Sequence, residues 1–293
     1  MATFKQPLKQ NPLMQYMRQP KIYVKLPSNG TFWEEGTLNL PENKELPVYS
    51  MTAKDELTFK TPDALMNGQG VVEVIQSCIP NIKDAWATPN IDLDAILIAI
   101  RLATYGEQME ISHKVPNTEE EVEHLVDLRR LLDSIFERTT WNEEVVINEN
   151  ISCYIKPLTY RHLTQTSIKT FEAQRIMTVI NNDDVSDAQK LEVFNKSFST
   201  MTDITVKLIS DSIYAIKTPD TVVEDPKFIL EFVQNADKDV FDLINKRITE
   251  LKEHNGLQPM TVQSTPEQIA SGAPETYTIP ISFDNANFFA NGS

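Results

Sequence analysis

The sequence predicts an α+β fold: a small β-rich N-terminal cap with helices, then a mainly α-helical bundle and an extended C-terminal tail. Three observations carry that prediction. Lys21 to Leu26 alternates, with Ile22, Val24 and Leu26 on one face, and stops at Pro27-Ser-Asn-Gly30, the pattern of a strand entering a turn. From residue 54 the apolar spacing changes to that of helices, most clearly over Asp92 to Tyr105. After His254-Asn255-Gly256 the composition shifts to Pro, Gln, Ser, Thr and Gly. These breaks divide the chain into an arm (1–20), a mixed N-terminal domain (21–115), a mainly helical domain (116–256) and a tail (257–293).

Within the arm, Met1 to Pro20 is rich in Gln, Pro, Lys and Met and shows no period, so it is expected to be flexible. Two more short strands are predicted near Gly36 to Leu40 and Pro47 to Met51, around Phe32 and Trp33. Thr61-Pro62-Asp63 offers an N-cap, a proline at the first helical position and an acid at the positive helix end. Gly70 to Ile79 is a second helix, stopped by Pro80. In Asp92 to Tyr105, Leu93, Ile96, Leu97, Ile98, Ile100 and Leu102 cover nearly the whole circumference and Gly106 closes the element. Such a helix must be surrounded by protein.

Pro116 to Arg138 is predicted as one helix, opened by a Thr118/Glu121 capping box, with Val122, Leu125, Val126, Leu131, Leu132, Ile135 and Phe136 as its stripe. Glu144 to Ile147 and Ile151 to Ile155 follow as a hairpin around Asn148-Glu-Asn150. From there the chain reads as helical to residue 254: Thr159 to Ile180, Ser186 to Tyr214, Pro226 to Gln234 and Asp237 to His254. Ser186 with Gln189 is a further capping box, and short connections imply antiparallel packing. Leu257 to Glu275 is expected to be extended or mobile. Tyr277, Ile279, Ile281 and Phe283 then alternate, and Phe288-Phe289 follow. This stretch is expected to add as an edge strand, either on the protein's own β-rich cap or on a partner.

Charge narrows the partners. Of 293 residues, 27 are Lys or Arg and 42 are Asp or Glu, a formal charge of -15. That field repels nucleic acid and anionic membranes, and the densest basic cluster, Arg18 with Lys21 to Lys25, is small and set among apolar residues. The longest apolar run, Leu93 to Ala103, is shorter than the roughly 20 residues a membrane span needs, and the polar Met1 to Gln10 lacks the apolar core of a secretory signal. Cys78 and Cys153 lie in apolar surroundings, as buried thiols do; a disulfide or metal role is the alternative.

No catalytic, cofactor-binding or metal-ligating set emerges, so no enzyme and no cofactor are expected. The four histidines, 113, 124, 162 and 254, do not stand at metal-ligand spacing. Asp92-Leu-Asp94 sits at a helix start, where capping and dipole complementarity account for it, and the acidic run Glu119 to Glu121 reads the same way. Gly68-Gln-Gly70 lacks the third glycine and preceding strand of a dinucleotide fingerprint, and there is no Gly-x-Ser-x-Gly elbow.

Several blocks in order carry more than composition does. Lys21-Ile-Tyr-Val-Lys-Leu-Pro-Ser, Phe32-Trp33, Pro47-Val-Tyr-Ser-Met-Thr-Ala-Lys-Asp-Glu, Lys60-Thr-Pro-Asp-Ala-Leu-Met-Asn-Gly, Val71 through Lys83, Asp92 through Gly106 and the closing Ile281-Ser-Phe-Asp-Asn-Ala-Asn-Phe-Phe resemble the baseplate hub assembly proteins (hub assembly chaperones) of T-even-type bacteriophages. The resemblance covers most of the chain and is strongest from 16 to 112. It implies a role in building the central hub of the contractile tail, in the host cytoplasm, with hub or tail proteins as partners. The chain departs from the family where relatives carry Cys-Pro-x-Cys knuckles: here the loops read Val115-Pro-Asn-Thr118 and Thr265-Pro-Glu-Gln268. Zinc needs thiolate or imidazole ligands, so apolar packing or a partner contact is expected to hold these loops.

The expected function is therefore a hub assembly factor; the alternatives are a permanent structural protein of the baseplate or tail, and an unrecognised hydrolase or nuclease. Desolvated aromatics dominate most protein interfaces, which makes Trp33, Tyr277, Phe283, Phe288 and Phe289 the candidate protein-binding residues, with Trp33 equally suited to the core.

Overall fold

The computed structural model describes residues 13, 16–59, 61, 67–179 and 187–281. Helix and strand are mixed, as an α+β chain requires. The N-terminal unit starts with the antiparallel pair β1 (Pro20–Val24) and β2 (Leu46–Tyr49), registered Val24 to Leu46 and Pro20 to Tyr49. Their inward residues Val24, Leu46 and Val48 meet α1 (Ala53–Phe59), α2 (Gln69–Cys78) and α3 (Asn90–Tyr105) in one core.

Helix α3 is the axis of that core. Ile96, Ile98 and Ile100 are fully buried on different sides of it, which explains an apolar run too continuous for an amphipathic stripe. It closes at Gly106 (φ 94°), whose N–H bonds the Leu102 carbonyl, a backbone angle that favours glycine. The strand predicted near Gly36 to Leu40 is reduced to a single bridge, Leu38 to Ile82. Positive φ at Asn29, Gly30 and Gly36 folds this segment into successive turns instead. Arg18, assigned to the flexible arm, is tied down: it donates to the Ser77 carbonyl (2.6 Å) and pairs with Asp55 (3.5 Å). The helix start predicted at Thr61-Pro62-Asp63 and the Ser186/Gln189 capping box fall wholly or partly outside the described residues.

Residues 116–127 correct the sequence reading. They form no helix. The chain leaves α3 as β3 (Gln108–Lys114), turns at Asn117 (φ 62°), and returns as β4 (Glu121–Asp127) in unbroken antiparallel register. Val122, His124 and Val126 face inward, while Glu121, Glu123, Leu125 and Asp127 are exposed. That is an alternation of period two, hidden because Val122 and Val126 also fit helical spacing. Thr118 closes the β-turn through Val115 and caps no helix. The true N-cap is Asp127, which accepts from the Arg129 and Arg130 N–H groups and opens α4 (Leu128–Arg138).

The second half is built on a four-stranded sheet, where only a hairpin followed by helices was expected. The predicted hairpin forms as β5 (Glu144–Asn148) and β6 (Ile151–Ile155), and β7 (Ile213–Lys217) and β8 (Val222–Val223) extend it in the order β5-β6-β7-β8. The helix predicted over Ser186 to Tyr214 stops at Ser212; Ile213 and Tyr214 belong to β7, where Ile213, Ala215 and Ile216 are buried against β6 and the helices. Four helices accompany the sheet: α5 (Tyr160–Val179), α6 (Asp187–Ser212), α7 (Pro226–Asn235) and α8 (Lys238–Asn255). Asp225 and Asp237 cap α7 and α8. Ile155, Ile209, Ile216, Ile229 and Ile244 lie in this second core.

The tail is also folded as far as it is described. Strands β9 (Met260–Gln263) and β10 (Thr276–Ile279) pair with each other, bridged by α9 (Pro266–Ala270) with a Thr265/Gln268 capping box. The pair packs on the β3–β4 hairpin and makes a third small core of Val115, Ala273, Tyr277 and Ile279. It does not extend the β1–β2 cap. Among the described residues, no helix is long and apolar enough to cross a membrane.

Candidate protein-binding surfaces

Two of the five candidate interface residues are used inside the fold. Trp33 is half-buried against the N-terminal core and donates its indole N–H to Asp92 at 2.7 Å. Asp92 is fully buried and also accepts from the Ser28 N–H (2.7 Å) and the Ser28 hydroxyl. Burial raises its pKa while these donors act against the rise. Asp92 therefore fastens the Ser28–Trp33 turn onto α3 and makes no capping bond, contrary to the capping role read from its position.

Tyr277 is buried beneath the β3–β4 hairpin. Its hydroxyl lies 2.9 Å from Nε2 of His113, whose ring stacks on His124 with centroids 4.8 Å apart. Nδ1 of His113 and Nε2 of His124 are buried without a hydrogen-bond partner. Desolvation first, then the second imidazole, lowers the His113 pKa, because a proton there gains little hydration and meets like charge. The Val115–Thr118 and Thr265–Gln268 loops approach each other here: Val115 is fully buried in the third core, and the Gln268 amide donates to Glu120 across the gap (3.2 Å). A polar contact thus joins the loops beside that apolar core. Phe283, Phe288 and Phe289 lie outside the described residues.

Sequence reasoning missed a cluster of exposed apolar residues. On the α5–α6 hairpin, Phe171, Leu191, Phe194 and Phe198 are all half or more exposed, and Phe194 stacks on Phe198 at 6.5 Å between centroids. The sequence signal was present, but Phe194 and Phe198 also fit an inward face, and only the position of α5 decides which face is covered. Between α5, α6 and α7 opens a groove of about 770 Å³, where Ile204, Leu208 and Leu230 alternate with Lys169, Asp203 and Lys207. His162 at its end is 3.9 Å from Asp211, beyond hydrogen-bond reach, and is instead bonded to the Thr159 hydroxyl at 2.8 Å. Asp211 pairs with Lys207 at 2.5 Å. Cys78 and Cys153 are free and buried in different cores, where desolvation pushes both thiols up to about 12. They hold no thiolate for chemistry at neutral pH. Among the described residues, no group of three or more His, Cys, Asp or Glu is placed to hold a metal ion.

An α+β chain with large apolar side chains exposed along one helical hairpin, and with buried Asp55 and Asp92 committed to internal bonds, has the build of a protein that meets other polypeptides. Residues 20–268 match the family model described as T4 bacteriophage base plate protein. The match spans most of the 293 residues, and the chain belongs to that family: it is a baseplate-associated phage protein. No curated protein and no solved structure matches it.

Proposed function

We propose that this chain is a baseplate hub assembly chaperone, which binds hub subunits in the host cytoplasm while the contractile tail is built. It acts through shaped surface, with no reaction and no nucleic acid of its own to handle. The observation that carries this reading is the open groove between α5, α6 and α7, whose mixture of Ile204, Leu208 and Leu230 with Lys and Asp side chains suits an amphipathic polypeptide segment better than a small polar substrate. The ordered blocks that resemble hub assembly proteins support the same reading.

Two measurements test it. Quantitative mass spectrometry of infected cells and of purified particles should find the chain abundant in cells and depleted from particles. A fixed copy number per particle would instead establish a permanent structural protein of the baseplate or tail. Pull-down with tagged chain should recover hub subunits, and Leu230→Asp should reduce the yield by about tenfold, the loss that about 1.4 kcal/mol of binding energy represents. Phe288→Ala with Phe289→Ala should weaken capture as well. Recovery of no hub subunit by the wild-type chain refutes the proposal.

A further inference from the structure

One face of α6 carries a regularity of large apolar residues, three of them exposed and Met201 half-buried among the described residues. Leu191, Phe194, Phe198 and Met201 follow one another at intervals of three, four and three residues, the heptad spacing by which two helices pack side by side. Between these positions Ser197 is buried, as is Ala173 on α5, so small residues and not the large apolar ones are covered there. Leu191 is 62% exposed, Phe194 50% and Phe198 63%. None of the four seam residues lines the groove on the α7 side.

The occupant follows from charge and shape. Residues 160–212, the hairpin with its connection, hold six Lys or Arg and seven Asp or Glu, a net of 6 − 7 = -1. The rest of the chain carries the remaining -15 − (-1) = -14. The hairpin is thus a nearly neutral part of a strongly acidic protein, where two copies can approach with little local repulsion. Asn195 and Thr202, which flank the seam on its open side, are exposed and uncharged, so closing the seam desolvates no charge there. A heptad seam is also self-complementary about a two-fold axis.

We propose that a second copy of this chain docks on the Leu191–Phe194–Phe198–Met201 seam, making a two-fold dimer through α6. A buried aromatic covers about 150–250 Å², and roughly half of that per seam residue gives about 400 Å² per copy. With the rim, the total lies near 1,000 Å², the lower edge of specific interfaces. The dimer is therefore weak, with a dissociation constant in the micromolar range. This inference goes beyond the chaperone reading and needs no hub subunit.

Sedimentation velocity on the purified full chain, from about 1 to about 200 µM, is the test. Wild type should pass from 33.4 kDa to twice that mass, and added salt should tighten the dimer by screening the acidic remainder. Phe194→Ser with Phe198→Ser should weaken association at least tenfold while leaving the circular dichroism spectrum and melting temperature unchanged. Phe228→Ser, which alters an exposed aromatic on α7, should leave the dimer intact. A wild-type chain at monomer mass throughout the range overturns the proposal and leaves the seam to a different polypeptide. A dimer that survives the double substitution, or is lost equally with Phe228→Ser, overturns it too.

Discussion

Replacing Asp94 with Asn tests how the two halves of the molecule meet. Asp94 lines a cavity of about 200 Å³ with Leu93 and Asn90 from α3, Trp141, and Leu251 and Lys252 from α8. Burial pushes its carboxyl from 3.8 up to about 6, a rise of about 2 units at 1.36 kcal/mol each. Because the folded-state value is raised, the protonated acid suits the fold and the carboxylate opposes it. The stabilisation is present below pH 3.8 and is lost as pH rises through about 6. Above that, the carboxylate costs up to about 3 kcal/mol, an upper bound because Asp94 is partly exposed. At pH 4.5 the same linkage gives about 1 kcal/mol. Asp94→Asn removes the ionisation and should gain about 2 kcal/mol on wild type between pH 4.5 and pH 7.5. Urea denaturation of both proteins at the two pH values measures this, with slopes checked for two-state behaviour. A stability difference that does not change with pH would refute the reasoning and mean that Lys252, in the same cavity, neutralises the carboxylate.

Three further outcomes follow from the contacts described. Tyr277→Ala should cost the terminal β9–β10 pair about 3 kcal/mol of local stability, read as trypsin cleavage after Lys252 or loss of hydrogen-exchange protection over 260–279 without a change in the α3 amides. Acidification should loosen the same contact: the His113 value is lowered, so stability is intact above about pH 6.5 and falls as the pH drops below it. Exchange over 260–279 at pH 5.5 and 7.5 should show the difference, and His124→Gln should shrink it. Trp33→Phe keeps the packing but takes one donor from buried Asp92, with an expected cost of about 1–3 kcal/mol; unchanged thermal stability would show that the Ser28 donors suffice.

Helix α3 was legible because its apolar residues recur without a polar face, a pattern that requires burial wherever the partners come from. The β5–β6 hairpin was legible from Asn148-Glu-Asn150, since turn chemistry is local. Membership of a baseplate family was legible in the order of short blocks between residues 16 and 112. The hairpin β3–β4 was not, since Val122 and Val126 satisfy a period of two and a period near four alike, and the choice falls to Met109, Ile111 and Tyr277 on neighbouring strands. Strand β7 was missed because its first residues, Ile213 and Tyr214, continue the apolar spacing of the preceding helix, and pairing with β6 is a contact distant in the chain. Trp33 and Tyr277 looked like interface aromatics, yet Asp92 and His113, 59 and 164 residues away in the chain, claim their polar atoms. Local sequence determined the periodicity, the caps and the turns of this protein. Tertiary structure decided which apolar faces are covered, because burial depends on neighbours that are distant in the chain, and among the described residues it left Leu191, Phe194 and Phe198 of α6 exposed.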